Sequence, residues 1–176
     1  MITEKQTKAL NDIIKSSKRA VFFGGAGVST ESGIPDFRSV DGLYHQKFKY
    51  PPETMLSHTF YETHTAEFFD FYRQKLIVHG AKPNAAHLRL AALEREGKCR
   101  AVVTQNIDGL HQAAGSKTVY ELHGSTLRNY CTRCGKFFPV QFIEDAAGVG
   151  DGVPRCTECG GIVKPDVVLY LSLIHI

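Results

Sequence analysis

The sequence lacks any apolar run long enough to cross a membrane. A membrane-spanning helix needs about 20 consecutive apolar residues, and no window of the 176-residue sequence approaches that length. The opening residues, Met1 to Lys5, also lack the apolar core of a secretion signal. We therefore expect a soluble, cytoplasmic protein without a membrane partner.

Strong charge of one sign is missing as well. The formal net charge is only +3, whereas proteins that bind nucleic acid usually cluster much more positive charge on one face. We therefore expect no nucleic acid partner. The composition, with 43% hydrophobic and 22% charged residues, is typical of a globular protein, and the length suggests one domain or one domain with an insert.

A disulfide framework is not expected, because four of the five cysteines fall into two Cys-x-x-Cys pairs. The pairs are Cys131 with Cys134 and Cys156 with Cys159, and 21 residues separate them. Each pair can supply two thiolates to one tetrahedral Zn²⁺, and four sulfur ligands leave no position for water, so we expect a structural metal. Redox-active pairs and a nucleic-acid-binding ribbon are the alternatives. Cys99 is expected only to pack.

Short apolar strands alternate with helical patterns in the part of the sequence before the cysteine pairs. Thr3 and Gln6 form a capping-box pattern at the start of an amphipathic helix. Strands are predicted at residues 20–23, 100–103 and 118–122. This alternation predicts an α/β protein with a Rossmann-like parallel sheet and right-handed crossovers.

A glycine-rich turn follows the first predicted strand directly. Gly25 and Gly27 flank Ala26 and would let the backbone approach a pyrophosphate. A helix starting near Val28 would point its free N–H groups at that anion. The third glycine of the full dinucleotide-binding motif is missing, so a plain tight turn is the alternative.

The next part of the sequence combines a long connection with two helical patterns. Residues 33–61 are too many for an ordinary loop, and their aromatic side chains favour an ordered lid. Aromatic residues then recur at helical spacing, as at Phe68 and Tyr72, and predict a helix that faces the core. A further helix is predicted after Asn84 as its N-cap, and His87 in its first turn is expected to be structural.

Polar residues follow the second and third predicted strands, at the sheet edge where parallel sheets bind ligands. Gln105, Asn106 and Asp108 come after the second strand, and His123 follows the third. An imidazole with an unperturbed pKa near ~6.5 suits a general base at neutral pH. We therefore expect the chemistry at this edge, with His123 as the catalytic residue.

The sequence resembles the sirtuins through six features in the same order and at similar spacing. These are Gly25-Ala26-Gly27-Val28-Ser29, Gly33-Ile34-Pro35-Asp36-Phe37-Arg38, Thr104-Gln105-Asn106-Ile107-Asp108-Gly109-Leu110-His111, Leu122-His123-Gly124, the two cysteine pairs and Lys164-Pro165-Asp166-Val167-Val168. The similarity runs from about residue 5 to Tyr170. It is greatest to bacterial members of the deacetylase type.

The resemblance implies an NAD-dependent protein lysine deacetylase, in which a Rossmann-like domain binds NAD and a small inserted module binds zinc. The residues that it assigns to NAD are Gly25, Ala26, Gly27 and Ser29 at the pyrophosphate, Ile34, then Asp36, Phe37 and Arg38 in a mobile loop over the cofactor, and Gln105, Asn106, Asp108 and His123 around the ribose and nicotinamide. The implied partner is an acylated lysine of a protein substrate.

In the chemistry that the resemblance implies, the acyl oxygen attacks the ribose C1′ as nicotinamide leaves. His123 then deprotonates a ribose hydroxyl, so that the acyl group migrates to ADP-ribose. Two alternatives remain. The chain could be a mono-ADP-ribosyltransferase that uses the same cofactor, or a zinc-ribbon interaction module without catalysis.

The sequence departs from the family in the helix near residues 68–75. Among the sirtuins that this sequence resembles, those that prefer acidic acyl groups carry a Tyr-x-x-Arg pair in this helix. In this sequence Asp70 stands three positions before Arg73, so the pair is absent. We therefore expect a preference for acetyl over succinyl or malonyl groups.

A second departure lies at the end of the sequence. Residues 171–176 match nothing in the family, which continues with the second half of the Rossmann domain. We expect these six residues to be non-native and the chain to be a fragment that is inactive alone. Residues 1–125 and 163–170 would then form the Rossmann-like domain without its second half, and residues 126–162 the zinc module.

Overall fold

The structure is a computed structural model that describes residues 3–37, 39, 42–45 and 47–170. Three of its strands form a parallel sheet in the order β1-β2-β3. They are β1 (Ala20–Gly24), β2 (Cys99–Thr104) and β3 (Val119–Glu121). The register aligns Phe23 with Val103 and Val103 with Tyr120, so all three strands end at one edge. This confirms the predicted Rossmann-like α/β fold.

Seven α-helices lie in the described residues. They are α1 (Glu4–Ser16), α2 (Pro52–Met55), α3 (His58–Thr63), α4 (Thr65–Lys75), α5 (Ala85–Arg95), α6 (Leu110–Ala113) and α7 (Val140–Asp145). Two of the predicted starts are confirmed. The capping box of Thr3 and Gln6 opens α1, and the Asn84 side chain accepts from the first N–H groups of α5. None of these helices is long and apolar enough to span a bilayer, as far as the described residues go.

One face of the parallel sheet is covered and the other is open. Helix α5 packs against β2 and buries Ala91 and His87. On the opposite face Phe23 is 64% exposed and Tyr120 is 58% exposed. Helix α1 buries none of its residues, so its predicted apolar face is solvent-exposed in the described chain. The parallel sheet alone therefore buries little of its own apolar surface.

A second, antiparallel sheet follows the first almost without a break. Its order is β5-β4-β6, from β5 (Phe137–Pro139), β4 (Gly124–Cys131) and β6 (Val163–Val167). Only Leu122 and His123 separate β3 from β4. The predicted division, with residues 163–170 in the first unit, stays a prediction; the structure pairs β6 with β4 in the second sheet.

The main hydrophobic core joins the helices α2–α4 to this second sheet. Phe68, Phe69 and Tyr72 are completely buried, which confirms the predicted aromatic core helix. They belong to one buried cluster with Ile143 of α7 and Val163 of β6. Burying aromatic side chains of this size is the largest stabilising contribution available to a small domain. The helical unit and the cysteine module therefore share one core.

Two predictions about the connections need correction. The helix after the glycine turn is a 3-10 helix (Ala26–Ser32), and it begins before the predicted Val28. It ends at Gly33, whose φ of 84° favours glycine. The long segment that follows is not one loop, because it contains a 3-10 helix (Leu43–His45) as well as α2 and α3. Arg38 and the predicted non-native residues 171–176 lie outside the described residues.

Candidate functional site

The glycine turn lies against the end of β2. The Gln105 amide donates to the Gly24 carbonyl at 2.9 Å, which fixes the two strand ends to each other. A side chain at Gly25 would meet Gln105 Oε1 at 3.1 Å, so the turn leaves little room there. Gly25 is also the N-cap of the 3-10 helix and offers it no side-chain acceptor. The first N–H groups of the helix are therefore suited to an outside anion.

Three polar side chains form a compact cluster beside this turn. Ser29 Oγ donates to Asp108 Oδ2 at 2.7 Å, and Asn106 Nδ2 donates to Ser29 Oγ at 2.9 Å. The other carboxylate oxygen of Asp108 accepts from the Leu110 amide at 2.9 Å. Ser29 and Asn106 are buried. The cluster therefore holds a carboxylate in a fixed orientation with neutral donors only.

Two buried histidines lie next to the cluster. The His87 and His111 rings are 4.6 Å apart, and both side chains are fully buried. Burial lowers the pKa of each, and the neighbouring His87 lowers the pKa of His111 further. Both imidazoles are therefore neutral at neutral pH. His87 Nδ1 accepts from the Asn84 amide, which confirms its predicted structural role.

His123 is held in one orientation by a backbone carbonyl. Its Nδ1 lies 3.0 Å from Gln105 O. A carbonyl oxygen only accepts hydrogen bonds, so Nδ1 must carry the proton and the neutral ring keeps the Nε2 lone pair free. The Val168 amide donates to the His123 carbonyl at 3.0 Å. The arrangement can present Nε2 as a proton acceptor at the edge of the sheet.

The structure brings most of the predicted cofactor residues together at this edge. Ile34 and Asp108 line one small cavity of about 110 Å³, whose wall also contains residues of the segment just after α4 and residues of α7. Asp36 accepts from the Ser39 amide, and Phe37 packs edge-on against Tyr44 at 5.7 Å. These two residues thus lie in the aromatic segment after the turn. Ala26 and Gly27 lie in the first turn of the 3-10 helix.

Sequence reasoning missed the contact between Ser29 and Asp108 and the pairing of His87 with His111. The bonded side chains of Ser29 and Asp108 are 79 positions apart in the chain. No local pattern links positions so distant. A usable signal was the position of both residues just beyond neighbouring strands, which meet at one edge of the sheet.

The four paired cysteines come together as predicted. Their sulfur atoms all lie within 4.8 Å of one another, with Cys131 and Cys159 3.5 Å apart and Cys134 and Cys156 3.6 Å apart. Tetrahedral Zn–S bonds place sulfurs about 3.8 Å apart, so the cluster fits the ion. Backbone N–H groups also point at the sulfurs, as from Arg133 to Cys131 at 3.4 Å. Four sulfur donors suit a structural zinc ion.

The remaining cysteine is separate from this cluster. Cys99 is buried, and its Sγ lies 3.3 Å from the Ala101 carbonyl in β2. Its role is packing, as expected from the sequence.

Comparisons with known proteins agree on one family. A model of the Sir2 family matches residues 25–173. A protein of Clostridium acetobutylicum called NAD-dependent protein deacetylase is 59% identical over 172 residues, which are 97% of this chain and 69% of that protein. A Clostridium perfringens protein of the same name is 61% identical over 163 residues, 92% of this chain and 65% of that protein.

Solved structures show the same similarity. The chain superposes on "Sir2-p53 peptide-NAD+" with a TM-score of 0.80 and 41% identity, over 93% of this chain and 64% of that one. For "Structure of Sir2Tm bound to a propionylated peptide" the TM-score is 0.81 and the identity 38%, over 94% and 64%. The chain thus spans about two thirds of the length of the relatives that it matches.

The zinc cluster leads to a prediction about metal content. The purified chain should contain one Zn²⁺, and Cys156→Ser should lose it, because three sulfurs bind zinc less tightly than four. Removing zinc should also lower the melting temperature, since Cys131 and Cys156 are part of the main core. Metal analysis and thermal melting measure both effects. Cys99→Ala is the matched control and should keep its zinc; equal zinc in both variants would contradict the assignment.

The buried histidine pair leads to a prediction about pH. Unfolded histidine titrates near ~6.5, and the pKa values of His87 and His111 are lower in the folded chain. The unfolded state therefore binds more protons below pH ~6.5, so the free energy of unfolding should fall as the pH drops through that range.

Urea titrations of the zinc-loaded chain between pH ~7.5 and ~5.5 test this linkage. His111→Phe keeps a ring but cannot be protonated, so its stability should depend less on pH. Arg89→Ala changes an exposed side chain of α5 that is not a histidine and should keep the original pH dependence. Identical pH dependence in the original chain and His111→Phe would show that the buried pair does not cause it.

Proposed function

The chain belongs to the Sir2 family, and from that membership we propose that it carries the catalytic edge of an NAD-dependent protein lysine deacetylase. The observation that carries the proposal is the fixed orientation of His123. Its Nδ1 proton is engaged by the Gln105 carbonyl, and its Nε2 is left as an acceptor at the same edge as Asn106 and Asp108. A general base needs this combination of orientation and free lone pair.

The residues around the glycine turn are suited to binding NAD. We infer that Gly25, Ala26 and Gly27 hold the pyrophosphate through backbone N–H groups, with Ser29 just behind them. Gln105, whose amide bonds to the Gly24 carbonyl beside this turn, would contact the adjacent ribose. Ile34, Asp36, Phe37 and Arg38 would belong to the segment over the cofactor. Bound NAD supplies the reactive ribose carbon from which nicotinamide leaves.

The polar cluster then has an electrostatic role. Positive charge develops on the ribose as nicotinamide departs, and the Asp108 carboxylate would stabilise that charge. Ser29 and Asn106 keep this carboxylate oriented. The neutral His87 and His111 add no competing positive charge beside it. The same groups exclude water from one side of the nicotinamide pocket.

His123 would act in the later proton transfer. Its Nε2 would accept the proton of a ribose hydroxyl of bound NAD, and that hydroxyl would then take the acyl group from the lysine. The Gln105 carbonyl would stabilise the imidazolium, because it continues to accept from Nδ1–H. The substrate is then an acylated lysine in a protein. The reduced cysteine pairs support action in the cytoplasm.

The test of this function compares two chains. One is the 176-residue chain, and the other is the same chain joined after Tyr170 to the remaining third of the C. acetobutylicum relative. A dinucleotide site spans both halves of a doubly wound sheet, so we expect weak NAD binding by the first chain and deacetylation of an acetylated peptide by the second. Strong deacetylation by the 176-residue chain would contradict the expected inactivity.

Replacing His123 tests the proposed base. In the fused chain His123→Ala should lower deacetylation about 10²–10⁴-fold, the usual contribution of a general base. Release of labelled nicotinamide, product formation and NAD affinity are measured together. Arg89→Ala, on the exposed surface of α5, is the control and should keep its activity. Full activity in His123→Ala would refute the role, and nicotinamide release without an acylated peptide would favour ADP-ribosyl transfer.

The acyl preference is tested with matched peptides. Arg73 Nη1 donates to the Gly152 carbonyl at 2.9 Å and lies 3.4 Å from the Ile143 carbonyl. This guanidinium is therefore engaged with the cysteine module and not free for an acidic acyl group. We expect the fused chain to turn over an acetylated peptide at least about tenfold faster than its succinylated counterpart, since an unpaired buried carboxylate is costly. A faster succinyl rate would overturn this preference.

A further inference from the structure

The position of His123 depends on both sheets at once. The residue lies in the two-residue connection between β3 and β4. On the parallel-sheet side the Leu122 amide donates to the Thr104 carbonyl at 2.9 Å. On the other side the Val168 amide, just after β6, donates to the His123 carbonyl. A relative movement of the two sheets would therefore turn the imidazole away from the Gln105 carbonyl.

The connection between β3 and β4 is tightly packed where it meets β6. Gly124 has a φ of 77°, and a Cβ there would lie 1.8 Å from the Asp166 carbonyl oxygen. The backbone of β6 is thus in close contact with Gly124, the residue after His123. Only glycine fits this approach. Any change in where Asp166 lies is passed to His123 through this contact.

One side chain connects the two sheets around this connection. Arg128 Nη1 donates to Glu121 Oε2 at 2.6 Å, and its Nε donates to Asp166 Oδ2 at 2.9 Å. Glu121 is the last residue of β3, two positions before His123, and Asp166 lies in β6. The guanidinium therefore spans from the parallel sheet to the antiparallel sheet.

The two ion pairs of Arg128 differ in exposure to solvent. The Glu121 side chain is only 8% exposed, so its carboxylate depends on Arg128 for compensation, whereas the Asp166 side chain is 43% exposed. The hydrogen bond that Arg128 donates to Glu121 raises the pKa of Arg128 above its usual value. A planar guanidinium can reach two carboxylates in fixed directions, whereas a lysine ammonium offers a single point of charge. Arg128 thus has the geometry of a two-sided clamp.

We propose that Arg128 is a positioning residue for His123, which it orients by fixing Glu121 of the parallel sheet to Asp166 of the antiparallel sheet. This inference rests on the proposed function, in which His123 is the base. Arg128 itself touches no reacting atom in that scheme. Its effect passes through the short connection and appears at the hydrogen bond between His123 and Gln105.

The test measures the orientation of the His123 ring without relying on turnover. Nitrogen NMR of the zinc-loaded, 176-residue chain distinguishes the Nδ1–H tautomer from the Nε2–H tautomer. We expect the first to dominate in the original chain, because only that tautomer can donate to the carbonyl. In Arg128→Ala a released ring samples both tautomers. The ratio of the Nδ1–H form to the Nε2–H form should therefore fall at least about threefold.

Three further variants sharpen this result. Arg128→Lys keeps the positive charge but cannot reach Glu121 and Asp166 in the same two fixed directions, so its tautomer ratio should be intermediate. Asp166→Ala removes the acceptor of the Arg128 Nε hydrogen bond, leaves the Glu121 pair intact and decides the question if Arg128→Ala does not fold. Arg89→Ala removes an exposed ion pair with Glu96 and should leave the ratio unchanged. Bound zinc and melting temperature are recorded for each variant.

The outcomes separate positioning from stability and from function. A folded, zinc-containing Arg128→Ala chain with the original tautomer ratio, or an unchanged ratio in Asp166→Ala when the first variant is unfolded, would overturn the proposal. A shifted ratio would support it even if the melting temperature also falls. Activity of His123→Ala in the fused chain bears separately on the proposed function, because it does not affect what the ring orientation shows about Arg128.

Discussion

The direct passage of β3 into β4 is the constraint on which the site depends. Two residues are too few to form an independent loop, so the backbone of His123 is set by the sheets on both sides. Strand β4 begins beside His123 at Gly124 and ends at Cys131 in the cysteine cluster. A zinc ion held by the four cysteines would therefore act on the edge that carries the proposed base without taking part in the chemistry. It would do so by fixing the far end of the strand that begins beside His123.

The distribution of the core explains how this constraint is maintained. The largest buried cluster lies between the α2–α4 helices and the antiparallel sheet. Arg73 adds a polar connection from α4 to the backbone around α7. The parallel sheet has one open face and contributes few buried aromatics. The second sheet is thus the well-packed body. The first meets it at the β3–β4 connection, at the Arg128 ion pairs, and where Thr126 of β4 donates to the Ile107 carbonyl just after β2.

The features that depend on local sequence could be predicted, and those that depend on distant contacts could not. Cysteine spacing predicted the four-sulfur cluster because a zinc ion would fix the ligand number and the turns between them. Helix capping predicted the start of α5 after Asn84, and helical periodicity predicted that Phe68 faces the core. The 3-10 helix after β1 begins earlier than predicted, and its N-cap Gly25 supplies no side-chain hydrogen bond that would mark this start. The short helices within residues 42–63 carry too few turns for a periodic signal.

Arg128 illustrates the limit most clearly. In the sequence it is one of many charged residues in an alternating strand, and nothing marks its partners. Glu121 is seven positions away and Asp166 is 38 positions away, and they meet only because two sheets share one connection. The same reasoning applies to Asp108, whose carboxylate is oriented by Ser29 from another element. A side chain that orients a catalytic group through such contacts follows from the topology, so it can be found only after the fold is known.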